Sequence, residues 1–234
     1  MNAATIRAFS PALNREIEYT ALLPTAAPPQ EPHVLLLLHG LQGNQTSWLT
    51  RTSLCRWGDS HNFLIILPGG ENSWWLDWAP WQRYETFLLD DLHAHVSRTF
   101  RAQPGPWAIG GLSMGGFGAM RLACKHPERF RSVWSHSGWF GPAADCPALA
   151  YGPYPGAPAD LDLVLQADRL LEAKSRPAIG FDCGLSDPFL AVNRRLAGAL
   201  TERGIAHQYS EHPGGHDWHY WDERVKAQLA FHTA

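Results

Sequence analysis

The chain has 234 residues, enough for one large domain or two small ones at about 100–200 residues each. Apolar residues make up 45% and charged residues 18%, a globular balance that excludes a disordered chain. Nineteen Lys and Arg against 22 Asp and Glu give a net charge of −3 without a basic cluster, which excludes the footprint of a nucleic-acid or membrane-surface binder.

From the N-terminus, residues Ile6 to Leu23 alternate loosely and predict a hairpin at one edge of a sheet. A proline-rich connection follows (Pro24, Pro28, Pro29, Pro32). Val34–Gly40 and Phe63–Pro68 then read as strands buried on both faces, as in the middle of a parallel sheet. Tyr84, Phe87, Leu88, Leu92, Val96 and Phe100 recur at helical spacing and predict one amphipathic helix. Trp107–Ser113 is a strand running into a tight turn, and a helix from about Met114 is stopped by Pro127. Ser132–Gly138 is the next strand. Residues 139–177 form an irregular excursion, rich in Gly, Pro and Ala over 139–160, with a short helix at about 161–173. Ala178–Gly184, a helix over Phe189–Arg203 ending at Gly204, His207–His212 and a helix over Trp218–His232 complete the chain. This alternation predicts one doubly wound α/β domain spanning residues 1–234. The longest aliphatic run, Val34–Leu38, falls far short of the ~20 residues of a spanning helix. No basic-then-apolar leader opens the chain. Four scattered cysteines (Cys55, Cys124, Cys146, Cys183) form no C-x-x-C, so a cytoplasmic protein with reduced thiols is the expectation.

Gly111-Leu112-Ser113-Met114-Gly115 matches G-x-S-x-G with a strand before it and a helix after it, the setting in which the motif carries chemistry. Such a turn strains the serine backbone and crowds its neighbours, which is why glycines flank it. A serine hydroxyl needs a base, and the base needs an acid to hold its tautomer; in the α/β-hydrolase fold the order is Ser, acid, His. His216, in the Gly-rich PGGHDW loop between the last strand and helix, is the base; His212 ends the strand and His219 starts the helix. Asp187, three residues past the strand Ala178–Gly184, is the acid, whereas Asp182 lies within that strand. His212, His216, Asp217 and His219 crowd together, but no companion ligand motif elsewhere supports a metal site. The backbone N–H groups of Leu41, after the strand ending at His39-Gly40, and of Met114 are the expected oxyanion donors. His39 reads as a buried polar residue fixing that loop. Trp74 and Trp75, within the tryptophan-rich Glu71–Trp81 segment, and Trp218 are candidate substrate-binding residues beside a bland reading as packed loop.

Leu35–Leu49 (LLLLHGLQGNQTSWL), Gly69–Trp75 (GGENSWW), Gly110–Ala123 (GGLSMGGFGAMRLA), Phe181–Leu196 (FDCGLSDPFLAVNRRL) and His212–Trp221 (HPGGHDWHYW) together resemble the esterase D family of α/β hydrolases. The nearest resemblance is to the tributyrin-type short-chain esterases, with S-formylglutathione hydrolases and mycolyltransferases more distant. It implies Ser113 as nucleophile, Asp187 as acid and His216 as base, no cofactor, and commonly an oligomeric assembly. S-formylglutathione hydrolases usually carry a cysteine in the loop after His-Gly, whereas this chain has HGLQGNQTSW. The expected function is a serine carboxylesterase acting on small-molecule short-chain acyl esters through an acyl-enzyme. The alternatives are a thioesterase of the S-formylglutathione hydrolase type, an acyltransferase, or a non-catalytic binding module.

Overall fold

The computed structural model describes residues 1–26 and 30–233; Pro28 and Pro29 of the proline-rich connection lie outside the described residues. The chain opens with β1 (Asn2–Ser10) and β2 (Arg15–Leu23), paired antiparallel from Asn2–Leu23 to Ser10–Arg15. This is the expected edge hairpin, extended on the N-terminal side of Ile6. Its turn closes with the Asn14 N–H donating to the Pro11 carbonyl, and Asn14 takes a left-handed φ of 50° that asparagine tolerates. β3 (His33–Leu38), β4 (Phe63–Pro68), β5 (Trp107–Leu112), β6 (Phe130–His136), β7 (Ala178–Gly184) and β8 (Gln208–His212) complete an eight-stranded sheet in the order β1-β2-β4-β3-β5-β6-β7-β8. β2 joins β4 antiparallel, and every pair from β4 to β8 is parallel.

The aliphatic runs sit where both sheet faces are covered, since every residue of β4 and β5 is buried. Alternate residues feed two cores. Leu36, Leu38, Leu64, Ile66 and Ile109 pack on one face with Phe117 and Met120, while Leu35, Leu37, Ile65 and Leu67 pack on the other with Trp48, Val225 and Leu229. α1 (Ser47–Arg51) and α2 (Leu54–Gly58) cover the second face together with α8 (Trp218–Thr233). Five-residue helices show no full apolar period, so the sequence does not announce them.

The expected helix over residues 84–100 forms as α3 (Tyr84–Thr86), a π-helical stretch (Phe87–Leu92) and α4 (His93–Thr99), with Tyr84, Phe87, Leu88, Leu92 and Val96 buried. Backbone hydrogen bonding, not side-chain spacing, distinguishes a π turn, so periodicity reads through it. α5 (Met114–Lys125) ends ahead of Pro127 as expected. β6 is shifted two residues toward the N-terminus of the expected strand, because Ser137 leaves the sheet at a φ of 52°. The excursion consists of 3₁₀ turns Ala143–Asp145, Pro147–Tyr151 and Pro158–Leu161 ahead of α6 (Leu163–Glu172), whose first turn is capped by Asp162 accepting from the Val164 N–H. α7 (Leu190–Glu202) stops at Gly204, which supplies a φ of 64°.

A buried ion cluster ties the excursion to the body of the protein. Arg121 on α5 has no solvent exposure. It donates to Glu85 of α3 at 2.5 Å, to the Tyr154 hydroxyl at 3.0 Å and to the Asp160 carbonyl at 3.1 Å. Lys125 and His126 also reach Glu85, at 2.8 and 3.0 Å. Burial alone would raise the Glu85 pKa, but these donors outweigh it and hold the carboxyl far below the usual glutamate range. Its stabilisation is therefore complete above the unfolded glutamate pKa and is lost as pH falls through the lower folded value. Glu85→Gln should cost about 3–5 kcal/mol at pH 7, the range for breaking one side of a buried pair. Denaturant unfolding should show the gap to wild type narrowing below about pH 4, where Glu85 of the unfolded wild-type chain starts to bind a proton while the folded carboxylate stays ionised. A gap independent of pH would mean that shape, not charge, makes the contribution.

Candidate active site

β5 delivers Ser113 into the turn at φ 54° and ψ −120°, a conformation rarely open to L side chains. Crowding explains the glycines. A Cβ on Gly111 would land on the backbone of Gly115, and one on Gly115 would strike the Leu38 carbonyl and lie 2.6 Å from the His39 carbonyl oxygen. The strained residue is pinned at both ends: its N–H donates to the His136 carbonyl at 2.9 Å, and its carbonyl accepts from the Phe117 N–H at 3.0 Å.

The loops after β7 and β8 bring the other two groups. The Leu185 N–H bonds the His212 carbonyl at 2.8 Å and the Ser186 N–H bonds the Gly214 carbonyl at 2.9 Å, lacing the acid loop to the histidine loop. Gly214 has a φ of 133°, and a Cβ there would strike Tyr220. His216 Nδ1 then lies 2.9 Å from Asp187 Oδ2, and its Nε2 lies 2.8 Å from Ser113 Oγ. A carboxylate accepts only, so Nδ1 carries the proton and Nε2 is left to accept from the serine hydroxyl. Burial pushes Asp187 up, but hydrogen bonds from His216 and from the Phe189 N–H at 2.8 Å outweigh it, so the carboxyl sits below its usual range. Ser113 and Asp187 are buried, and the half-buried His216 ring is the exposed member of the three.

The residues expected at the site are thus brought together, and others not anticipated frame them. Phe189 and Trp221 meet the His216 ring edge-on at 4.8 and 5.0 Å, fixing its plane. Ser137 Oγ accepts from Trp221 Nε1 at 3.2 Å, and Ser137 contributes to lowering the Asp187 pKa. Phe189 is two residues past Asp187 and Trp221 five past His216; a reading centred on polar groups passes over both.

His39 shapes the turn after β3. Its Nδ1–H donates to the Gly40 carbonyl at 2.7 Å, and its Nε2 accepts the Gly70 N–H at 2.9 Å. Burial lowers its pKa to about 4, so it stays neutral and holds both bonds across the physiological range. Gly40 lies against Ser113, since a Cβ there would come within 3.2 Å of Ser113 Cβ. In the turn after it, Gly43 N–H bonds the Gly40 carbonyl and Gln42 N–H bonds Asn72 Oδ1, while the Leu41 N–H is used by neither bond. Met114 opens α5, so its N–H has no acceptor within the helix.

The remaining candidates have other placements. Asp182 is fully buried and accepts from His136 Nδ1 at 2.9 Å, Tyr220 Oη at 2.9 Å and Trp134 Nε1 at 3.2 Å, away from His216. His212 bonds Ser210 Oγ at 3.0 Å, and His219 is 86% exposed beside Glu223. Trp74 and Trp75 are 1% and 0% exposed. Trp75 packs edge-on against His39 and donates to the His39 carbonyl, and Trp74 packs on Phe117, so both are buried as structural support beneath the turn after β3. Trp218 is partly exposed and lines a cleft beside Leu41. Among the described residues no group of three or more His, Cys, Asp or Glu side chains is placed to hold a metal ion, and no helix is long and apolar enough to cross a membrane.

Residues 10–232 match the family described as "Putative esterase". The chain belongs to this esterase family. An acetyl esterase from Caldicellulosiruptor saccharolyticus is 28% identical over 249 residues, covering 94% of each protein. Among solved structures, the substrate-bound Staphylococcus aureus fluorophosphonate-binding serine hydrolase F aligns over 100% of this chain and 98% of its own, with a TM-score of 0.88 and 21% identity. A ferulic acid esterase aligns over 99% and 97%, with a TM-score of 0.84 and 27% identity. The esterase has the α/β-hydrolase fold and is a carboxylic ester hydrolase.

Proposed function

We propose that this esterase hydrolyses small, short-chain carboxylic esters through an acyl-enzyme on Ser113, and that its specificity is of the tributyrin type. The observation carrying the mechanism is the continuous chain Asp187–His216–Ser113 at 2.9 and 2.8 Å. Ser113 Oγ bonds to the carbonyl carbon as its proton passes to His216 Nε2. The N–H groups of Leu41 and Met114 receive the oxyanion. The C–O bond to the alcohol breaks, and the departing oxygen takes the proton from His216. Water then gives a proton to His216 and its oxygen to the acyl carbon, the Ser113 ester bond breaks, and the proton returns to Ser113. Asp187 stays ionised throughout and holds the imidazole tautomer. Support for a short acyl group comes from the acetyl esterase relative and from the HGLQGNQTSW loop, which lacks the cysteine of the thioester-cleaving pattern. A cytoplasmic location belongs to the same proposal, resting on four cysteines that remain unpaired.

Initial rates on p-nitrophenyl esters from acetate to decanoate, with S-formylglutathione in the same panel, test the assignment. Activity should peak at acyl chains of about two to four carbons. A dominant rate on S-formylglutathione would move the chain to the thioesterases, and failure of a fluorophosphonate to label Ser113 would sink serine catalysis here.

A further inference from the structure

Two clefts flank the oxyanion turn, on either side of the hydrogen bond from Gln42 N–H to Asn72 Oδ1. One, of about 500 Å³, is walled by Trp78, Tyr84 and Tyr151 and contains the carboxylate of Glu71. The other, of about 360 Å³, is lined by Leu41, Gln42, Asn44, Thr46, Arg51 and Trp218, with no Asp or Glu in its wall. Arg51 closes α1 and holds its guanidinium 5.7 Å over the Trp218 ring, so the cation is positioned within a wall of amides and hydroxyls and meets no anion there.

The leaving group of an ester departs on the histidine side of the site. His216 Nε2 must reach the departing oxygen to protonate it, so the alcohol occupies the histidine side of the reacting carbonyl. Trp218 stands two residues past His216 and packs edge-on at 5.2 Å against Trp221, which itself packs against the His216 ring. Leu41, in the cleft wall, follows Gly40, where a Cβ would come within 3.2 Å of Ser113 Cβ.

We infer that this cleft is a leaving-group subsite selecting esters whose alcohol portion carries a carboxylate, with Arg51 as the specificity-determining residue. The inference rests on the esterase reading above. Arg51 offers a planar fork of donors to a carboxylate, the amides and hydroxyls around it supply further polar contacts, and Trp218 holds the guanidinium from behind. The neighbouring cleft has aromatic walls and no Lys or Arg in its lining, and its Glu71 carboxylate is already paired with Arg15 at 2.8 Å, so it offers a carboxylate no cation.

The test compares kcat/KM for 4-acetoxybenzoate with that for its neutral counterpart, methyl 4-acetoxybenzoate, in wild type, Arg51→Gln and Arg51→Lys. The ratio of the two should fall about five- to tenfold in Arg51→Gln, be largely kept in Arg51→Lys, and shrink in wild type as salt screens the pair. An unchanged ratio in Arg51→Gln overturns the subsite, as does an equal fall in Arg51→Lys, which would mean packing on Trp218 rather than charge. If wild type hydrolyses neither compound, the esterase reading fails separately. Calorimetric binding of 4-hydroxybenzoate against its methyl ester then still decides the cleft. A carboxylate preference lost in Arg51→Gln upholds it, and equal binding of the two overturns it.

Discussion

Ser113→Ala should lower hydrolysis of p-nitrophenyl acetate by about 10⁴–10⁶-fold while the protein folds normally. The nucleophile is lost outright, and no other hydroxyl lies within hydrogen-bond reach of His216 Nε2 among the described contacts. The backbone should tolerate the change, because alanine keeps the Cβ and leaves the bonds to the His136 carbonyl and from the Phe117 N–H in place. The left-handed φ of 54° remains, so the strain is not relieved, and the melting temperature should move by no more than a few degrees. A second prediction is contained in the first. If Ser113, His216 and Asp187 act as one unit, Ser113→Ala combined with His216→Ala should cost little beyond the serine substitution alone. Initial rates of the single and double variants, with thermal melts of each, check both statements. Turnover above about 1% of wild type in Ser113→Ala would point to a different nucleophile.

The proposed nucleophile, base and acid were legible because each combines a residue type with a place at the carboxyl end of a strand. Ser113 follows β5, Asp187 follows β7 and His216 follows β8; apolar residues mark β5 and β7, whereas the polar β8 (QYSEH) is marked by its place between Gly204 and the Gly-rich loop. Strand ends set by backbone torsion were less legible: β6 stops at His136 because Ser137 turns, and nothing in SVWSHSG announces a left-handed serine. The π-helical stretch was hidden for the related reason that a changed hydrogen-bond ladder leaves the apolar face intact. The tryptophans fall between these cases. A cluster of indoles signals a wall, but whether the wall faces substrate or core depends on turns at Trp74 and Trp75 with φ of 56° and 58°, where both rings are buried. Trp218 carries the same residue type on a helix start and stays at the cleft. The buried cluster of Glu85, Arg121, Tyr154 and Asp160 draws on α3, α5 and the excursion, so no local window of sequence contains it.

Asp187→Asn should reduce kcat by about 10⁴-fold with little change in KM, by analogy with other triads in which the acid is made an amide. An asparagine in that place can turn its NH₂ toward Nδ1, which favours the tautomer protonated at Nε2 and leaves the serine hydroxyl without an acceptor. Asp182 provides the control. It is more deeply buried than Asp187 and also bonds a histidine, so burial and a His partner alone do not distinguish the two. What distinguishes them is which histidine they hold: Asp182 bonds His136, whose carbonyl pins the Ser113 backbone, whereas Asp187 bonds the imidazole that faces Ser113 Oγ. Asp182→Asn replaces one acceptor of a site supplied by His136, Tyr220 and Trp134 and leaves Arg224, 3.7 Å away, without its charge partner. Its loss should therefore appear chiefly as stability, about 3–5 kcal/mol by denaturant unfolding, with a much smaller fall in kcat for the fraction that remains folded. Asp187→Asn should show the reverse pattern, a large fall in kcat and a modest change in stability. The low pKa of Asp187 gives the sign of the remaining effect: its contribution to stability is present above the usual aspartate range and disappears as pH falls through the folded value, and Asp187→Asn removes that dependence. If Asp182→Asn instead abolished turnover in a fully folded protein while Asp187→Asn turned over normally, the assignment of the acid would be reversed.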